Sequence, residues 1–218
     1  MTKRPPPRDF RSAPNTTPLA AGTTLSRVHL AKYPAEGFNP VEADLLYAGG
    51  RFDSTEQDTY GFLYAGLTDG AAIAETLLRD LPANDRGARF LPRVLWCDRQ
   101  LSRVATTTDL TLITLQSGSD LGAIGRDTWL TMCDADDYPQ TRDWAHWLRG
   151  INQDAHGIIW LSKREPGVPV VVLFEDRCPP AVLAPSPGSL PMPCHFGDPT
   201  GATWLKTQLA PYRVSIRR

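Results

Sequence analysis

Proline is concentrated at the two ends of this 218-residue chain. Residues 1–22 contain five prolines and residues 179–199 contain seven. Because proline fixes φ and lacks an amide hydrogen, neither end can form a long helix or a central strand. We therefore expect a disordered, Pro-rich N-terminal arm over 1–22 and one compact domain over 23–178. The Pro-rich C-terminal segment, 179–218, should pack on that same domain through a short helix carrying Trp204, Leu205 and Leu209.

The composition excludes several classes of protein. A hydrophobic fraction of 41% and a charged fraction of 22% suffice for a buried core. The formal net charge of −1 gives no electrostatic reason to bind nucleic acid or an anionic membrane. No apolar run approaches the roughly 18 residues that cross a bilayer, and the basic N-terminus lacks the apolar segment of a secretory signal. We expect a cytoplasmic protein without a membrane or direct nucleic-acid partner.

Short apolar runs bounded by glycine and proline fill the middle of the chain, and this pattern is typical of β-strands. Helical spacing appears at 70–81, with Asp69 as the expected N-cap, and again at 119–130 and 140–151. Strands interspersed with few helices, without regular βαβ alternation, predict a mixed α+β domain. The clearest strands, 157–162 and 168–174, are joined by a loop with the Pro-Gly sequence of a hairpin turn. The predicted strands are 25–31, 44–50, 61–66, 93–98, 110–115, 157–162 and 168–174.

The common catalytic and metal-binding motifs are absent from the sequence. It contains neither a P-loop nor GxGxxG, and neither GxSxG nor HExxH. The four cysteines are far apart without a CxxC pair, and the four histidines are not at metal-ligand spacing. We therefore predict no metal site and no disulfide scaffold.

Three polar residues stand at unusual places in this pattern. Arg51 follows two glycines after an apolar run, Glu75 interrupts the small apolar helix AAIAETLL, and Ser162 ends the strand GIIWLS. Each has an ordinary explanation by itself. Arg51 would be an exposed loop residue, Glu75 a surface carboxylate paired with Arg79, and Ser162 the first residue of a turn.

Together, and in this order, these segments resemble the RES domain family, named for its Arg, Glu and Ser. The resemblance covers about residues 24–178, through LSRVH, LLYAGGRF, FLYAGLTDGAAIAETL and DAHGIIWLSKREPGVPVVVLFEDR. After its arginine the family usually has an aromatic–Asn pair and a Pro-Gly loop, whereas this chain reads FDSTEQ over 52–57. The residues that match the family's motif positions are Arg51, Tyr64, Glu75 and Ser162, with Arg27 as a weaker match.

The resemblance implies a fold similar to ADP-ribosyltransferases, with strongly bent, mostly antiparallel sheets and flanking helices. It also implies an enzyme that consumes NAD+ as its substrate. RES proteins are toxins of toxin–antitoxin pairs that degrade NAD+ by hydrolysis or phosphorolysis, and inorganic phosphate is the co-substrate of the second reaction. Their partner is an Xre-type antitoxin, and the family suggests a homodimer within a larger assembly.

Physical chemistry suggests a role for each matched residue in one cleft. Cleavage of the nicotinamide–ribose bond develops positive charge on the ribose, which the carboxylate of Glu75 would stabilise. The planar guanidinium of Arg51 suits the pyrophosphate, and Arg27 is a second phosphate candidate. Tyr64 could stack on a ring of NAD+, and Ser162 could bond its ribose or carboxamide.

Two other functions are compatible with the same residues. The pocket could pass the ribosyl cation to a macromolecule, which would make the protein an ADP-ribosyltransferase. Alternatively, the altered loop over 52–57 favours a non-catalytic module that binds a nucleotide or a protein partner. The sequence does not separate water, phosphate and macromolecule as acceptors, because the acceptor is selected by surface shape.

Overall fold

The computed structural model describes residues 4–7, 13–43, 49–79, 81–82, 84, 87–186 and 194–216. Its α-helices are α1 (Asp69–Leu77), α2 (Gly118–Ala123), α3 (Trp129–Met132), α4 (Tyr138–Ile151) and α5 (Pro199–Leu209). Its strands are β1 (Thr16–Leu19), β2 (Thr24–Leu30), β3 (Phe62–Gly66), β4 (Arg89–Leu91), β5 (Arg99–Thr106), β6 (Leu110–Leu115), β7 (Gly157–Leu161), β8 (Pro169–Phe174), β9 (Leu183–Pro185), β10 (Cys194–His195) and β11 (Val214–Ile216).

Nine of these strands form one sheet, in the order β1-β6-β7-β8-β3-β2-β5-β10, with β9 paired to β5 off this path. Only the β6–β7 pair in that sheet is parallel. The two remaining strands, β4 and β11, make a separate parallel pair. The prediction of a mixed α+β domain with a mostly antiparallel sheet and few helices is confirmed.

Side chains on the two faces of the sheet bury different cores. Along β8, Val170, Val172 and Phe174 pack into the cluster under α4, whereas Val171 and Leu173 pack on the opposite face. This division follows from the alternation of side chains along a strand. A third cluster joins α1 and α5 beside the first. The helices therefore cover one face, and that face carries the residues considered below.

The predicted hairpin is present as β7 and β8, with Gly157 opposite Leu173 and Leu161 opposite Pro169. Gly157 is required by close approach, because a Cβ there would lie 2.1 Å from the carbonyl oxygen of Val172. At the other end, the amide of Ser162 donates to the carbonyl of Val168 at 2.9 Å and closes the turn. The hairpin thus fixes Ser162 at the end of a buried strand.

Two local predictions about helices are wrong. The N-cap of α1 is Thr68, whose side chain accepts a hydrogen bond from the amide of Ala71 at 3.1 Å. The carboxylate of Asp69 instead forms an ion pair with Arg103 at 2.5 Å and accepts a hydrogen bond from the hydroxyl of Ser26. The helix expected over 119–130 is two short helices, α2 and α3, because Gly125 between them adopts a φ of +71°.

The strand predicted over 93–98 is also wrong. Residues 93–95 form a 3-10 turn, and the strand β5 begins at Arg99 and pairs with β2 along most of its length. The alternation of apolar and polar residues that indicates a strand is interrupted in β5, because polar residues such as Gln100 and Ser102 occupy buried positions. The strand predicted over 44–50 falls mostly on residues 44–48, which lie outside the described residues.

Part of the predicted disordered arm is bound to the domain. β1 (Thr16–Leu19) pairs with β6 along its full length, and the indole of Trp144 donates to the carbonyl of Arg4 at 2.7 Å. The backbone groups at the outer edge of β6 supply the hydrogen bonds that order β1. The sequence of the arm alone does not reveal such partners, because they come from a distant strand. None of the helices in the described ranges combines the length and apolar character needed to cross a membrane.

Candidate functional site

Glycine and alanine let α1 approach the sheet closely. A Cβ on Gly66, the last residue of β3, would lie 2.8 Å from the amide nitrogen of Ala72 and 3.0 Å from the Cβ of Ala71. Ala74 is also fully buried, in the cluster that joins α1 and α5. This close packing directs the side of α1 that carries Glu75 toward the turn of the β7–β8 hairpin.

The carboxylate of Glu75 is held by that turn. Its Oε1 accepts a hydrogen bond from the Ser162 hydroxyl at 2.5 Å and another from the amide of Arg164 at 3.3 Å. Among the described residues, no hydrogen bond reaches Oε2 of Glu75. The half-buried carboxylate is therefore oriented through Oε1 by the Ser162 hydroxyl and the Arg164 amide.

The hydroxyl of Ser162 has no hydrogen-bonding capacity left for a substrate. It donates its one proton to Glu75 and accepts from the amides of Arg164 at 3.1 Å and Glu165 at 2.8 Å. A hydroxyl has one donor and two lone pairs, so all are used. Ser162 is fully buried. In this structure the Ser162 hydroxyl therefore holds the Glu75 carboxylate, and its expected contact with ribose or carboxamide stays a prediction.

The turn that carries Arg51 depends on the two preceding glycines. Gly49 has a φ of +89°, a conformation that favours glycine. A Cβ on Gly50 would lie 2.6 Å from Oδ1 of Asp53 and 2.8 Å from the hydroxyl of Tyr64. The GG pair therefore leaves room for a carboxylate and a phenol directly against the backbone of the turn.

Asp53 and Tyr64 tie this turn together. Asp53 accepts from the Gly50 amide at 2.6 Å and from the Tyr64 hydroxyl at 2.7 Å, and that hydroxyl accepts from the amide of Phe52 at 2.8 Å. Burial raises the pKa of the Asp53 carboxyl and raises that of Tyr64 well above its usual range. The Tyr64 ring packs edge-on against Trp160, with centroids 6.2 Å apart. Tyr64 thus braces the turn with its hydroxyl and the core with its ring.

Arg51 is 6% exposed, and its guanidinium bonds to residues in and directly after α3. It donates to the carbonyl oxygens of Leu130 at 3.0 Å and Cys133 at 3.1 Å, and to the Cys133 sulfur at 2.7 Å. Within the described part of the chain, no carboxylate oxygen lies within the 4.0 Å of an ion pair with Arg51. Among the described residues its hydrogen-bond acceptors are thus two backbone carbonyl groups and one thiol.

Tyr138 connects Arg51 to the Glu75 side of the site. The guanidinium carbon of Arg51 lies 4.9 Å from the centroid of the Tyr138 ring, and that of Arg79 lies 5.7 Å from it. Burial raises the pKa of Tyr138, and the charges of Arg51, Arg79 and Glu75 all act on its hydroxyl. Arg51 and Glu75 consequently belong to one neighbourhood on the helix-covered face.

A second pair of cations lies at the hairpin turn. The ammonium of Lys163 is 2.5 Å from Oδ1 of Asp134, and the guanidinium of Arg164 is 3.6 Å from the same oxygen. The Lys163 ammonium lowers the pKa of the Asp134 carboxyl below its usual range. One short segment, 130–134, therefore contacts both Arg51 and the two cations beside Glu75.

The structure separates Arg27 from this neighbourhood. Arg27 donates to the carbonyl oxygens of Ala35 at 2.8 Å and Gly37 at 2.7 Å, on the sheet face opposite the helices. Burial lowers its pKa to about 10. Its hydrogen bonds brace a loop, and we leave it out of the candidate site.

Four residues of the site were not singled out by their sequence pattern as site residues: Asp53, Asp134, Tyr138 and Arg164. Asp53 carried a usable signal, because it stands where the family usually has Asn. Arg164 stands two positions after Ser162 in the sequence. Asp134 and Tyr138 come from a segment without any motif, and only the packing of α3 and α4 brings them here. No group of three or more potential metal ligands occurs within the described ranges.

Comparisons with known proteins agree with this architecture. The family model described as the RES domain matches residues 24–196, which is most of the chain. A chain from the crystal structure of the M. tuberculosis MbcT–MbcA toxin–antitoxin complex is similar in fold, with a TM-score of 0.57 and 17% sequence identity. The match covers 88% of this chain and 91% of that one. No curated protein matches the sequence.

Proposed function

The chain belongs to the RES domain family, and we propose that it is an enzyme that consumes NAD+ by cleaving the nicotinamide–ribose bond. The observation that carries this proposal is the orientation of Glu75. A carboxylate fixed through one oxygen by Ser162 and a backbone amide presents its other oxygen to a ligand in a defined direction. Such a fixed negative charge suits a reaction that develops positive charge on a sugar.

In this mechanism nicotinamide leaves as a neutral molecule, and the electrons of the broken bond go with it. The ribose then carries the positive charge of an oxocarbenium-like species, which Glu75 stabilises. Water or inorganic phosphate then bonds to the ribose carbon that nicotinamide has left, giving ADP-ribose or its 1″-phosphate, and the proton that water loses passes to solvent. Ser162 holds Glu75 in place, and the cations around the site bind the negatively charged diphosphate of NAD+.

The experiment is nicotinamide release from NAD+ with and without inorganic phosphate, for wild type and Glu75→Gln. The amide keeps the shape and an acceptor for Ser162 but removes the negative charge. We expect turnover to fall by about a hundredfold or more, while binding of ADP-ribose changes little. The control is Glu175→Gln, an exposed carboxylate at the opposite end of β8, which should keep wild-type turnover.

Each product selects one function. Free ADP-ribose indicates hydrolysis, the 1″-phosphate indicates phosphorolysis, and labelled macromolecule indicates ADP-ribosyl transfer. A folded wild-type protein that binds ADP-ribose but releases no nicotinamide would instead be a non-catalytic module. A folded Glu75→Gln protein with wild-type turnover would contradict the mechanism.

We also propose that the protein is a toxin restrained by an antitoxin. The support is its fold, which it shares with a chain of a toxin–antitoxin complex. Expression of wild type should arrest the growth of a bacterial host and lower its NAD+, whereas Glu75→Gln should not. Co-expression of the product of the neighbouring gene should restore growth if that product is the antitoxin, and growth arrest that persists with every adjacent gene product would argue against this assignment.

A further inference from the structure

The two residues after Ser162 are cations that converge on one exposed carboxylate. Lys163 and Arg164 both contact Oδ1 of Asp134, and their side chains are only 23% and 32% exposed. The backbone amide of Arg164 also bonds to Glu75. A cationic pair with restricted solvent access therefore lies directly beside the carboxylate that would face the ribose.

Asp134 is poorly suited to be a permanent structural partner of this pair. Its side chain is 75% exposed, and it lies in the short connection between α3 and the 3-10 turn over 135–137. Ion pairs with an exposed member contribute little to stability and are screened by salt. A ligand with more negative charge than one carboxylate would compete effectively for the same cations.

The segment 130–134 also covers the third cation of the site. The carbonyl oxygens of Leu130 and Cys133 accept the hydrogen bonds of Arg51, four residues or fewer from Asp134. Arg51, Lys163 and Arg164 thus all contact one segment, Arg51 through backbone carbonyl groups and the other two through a single carboxylate. Carbonyl groups and one carboxylate here take the places that phosphate oxygens would take.

We propose that Lys163 and Arg164 form an anion subsite for a diphosphate group, and that Asp134 occupies this subsite until the ligand displaces it. The assignment of the ligand as the diphosphate of NAD+ rests on the proposed function. The subsite would place the negative charge of the ligand next to the hairpin turn and its ribose next to Glu75. Asp134 then acts as an internal competitor that lowers the affinity of the site.

The test is the affinity for ADP-ribose and for inorganic pyrophosphate, measured by calorimetry on four proteins. They are wild type, the double variant Lys163→Gln/Arg164→Gln, Asp134→Asn, and the exposed-surface control Lys206→Gln on α5. We expect at least a tenfold loss of affinity for both ligands in the double variant. Asp134→Asn should bind them about two- to fivefold more tightly, and the control should match wild type.

The results separate this subsite from the proposed activity. Failure of wild type to bind ADP-ribose, or unchanged affinity in the folded double variant, would overturn the subsite even if nicotinamide is released normally. Unchanged or weaker binding by Asp134→Asn would overturn the competing role of Asp134. Binding that depends on Lys163 and Arg164 in a protein that releases no nicotinamide would support the subsite and reject the enzyme.

Discussion

Two buried arginines in this protein differ in how their charge is neutralised. Arg149, on α4, is 3% exposed and bonds to Asp58 at 2.8 Å and Asp176 at 2.9 Å, with its guanidinium 3.7 Å from the Tyr60 ring centroid. Arg51 is almost as buried, but its acceptors are carbonyl oxygens and a thiol.

The difference supports a structural role for Arg149 and the proposed ligand-binding role for Arg51. A buried charge is costly unless it is paired, and Arg149 is paired twice. Its role is to fasten α4 to the loop at Asp58 and to the end of β8. Arg51 has no ion pair among the described residues, and we propose that an anionic ligand supplies its counter-charge. The proposed substrate, with its diphosphate, is such an anion.

The largest expected effect on stability is that of Arg149→Met. The change removes both ion pairs and the stacking on Tyr60, and we expect a loss of about 3 kcal/mol in the free energy of unfolding. Urea denaturation measures it. Arg51→Met should cost only about 1 kcal/mol, since its acceptors are neutral. Equal losses of unfolding free energy in the two variants would contradict the distinction between the two arginines.

Ligand binding should show the opposite order. Arg51→Met should weaken ADP-ribose binding by about tenfold or more, and Arg51→Lys should recover only part of it, because an ammonium lacks the planar fork. Arg149→Met should bind ADP-ribose as wild type does at a temperature where it is folded. Normal binding by Arg51→Met would remove that residue from the site.

A third arginine, Arg27, extends the comparison, with a smaller expected effect on stability than that of Arg149. Arg27 braces the loop at Ala35 and Gly37 through two hydrogen bonds to carbonyl groups. Arg27→Met should lower the free energy of unfolding by about 1–2 kcal/mol and leave ADP-ribose affinity unchanged. Calorimetry on this variant measures the ADP-ribose affinity. A loss of affinity like that expected for Arg51→Met would return Arg27 to the candidate site.

Tyr64→Phe should have a comparable or smaller effect, about 1 kcal/mol, because the ring remains packed and only the hydroxyl bridge between Asp53 and Phe52 is lost. Since Tyr64 braces the turn of Arg51, a rise in KM for NAD+ should exceed any fall in kcat. Steady-state kinetics of nicotinamide release check this. A large fall in kcat with unchanged KM would show that the phenol acts on the reacting atoms.

The smallest expected effect is on the acid sensitivity of the Arg149 cluster. Burial favours the protonated form of Asp176, but its hydrogen bonds from Arg149 outweigh burial and lower its pKa. A carboxyl with a lowered pKa stabilises the fold above its unfolded value, about 3.9, and loses that contribution as the pH falls through the folded value. Urea midpoints should therefore fall less in acid for Arg149→Met than for wild type, and parallel curves would contradict this.

The sequence by itself determined the elements that depend on local pattern. The hairpin of β7 and β8 was predictable because two apolar runs flank a Pro-Gly turn, and α1 and α4 because their apolar residues recur at helical spacing. The order of the motifs identified the family, and with it Arg51, Glu75 and Ser162. The hairpin and the two helices are fixed by neighbours in the chain.

Tertiary structure alone decided what those motif residues contact. Hydrogen bonds join Ser162 to Glu75 across 87 positions and Arg51 to Cys133 across 82, and no local pattern encodes such pairs. The same holds for β5, whose Gln100 and Ser102 are buried beside His29 of the neighbouring strand β2, and for β1, which pairs with the edge of β6. Burial depends on which segments pack together. The hydrogen-bond partners and the solvent exposure of each site residue are therefore decided only when the chain folds.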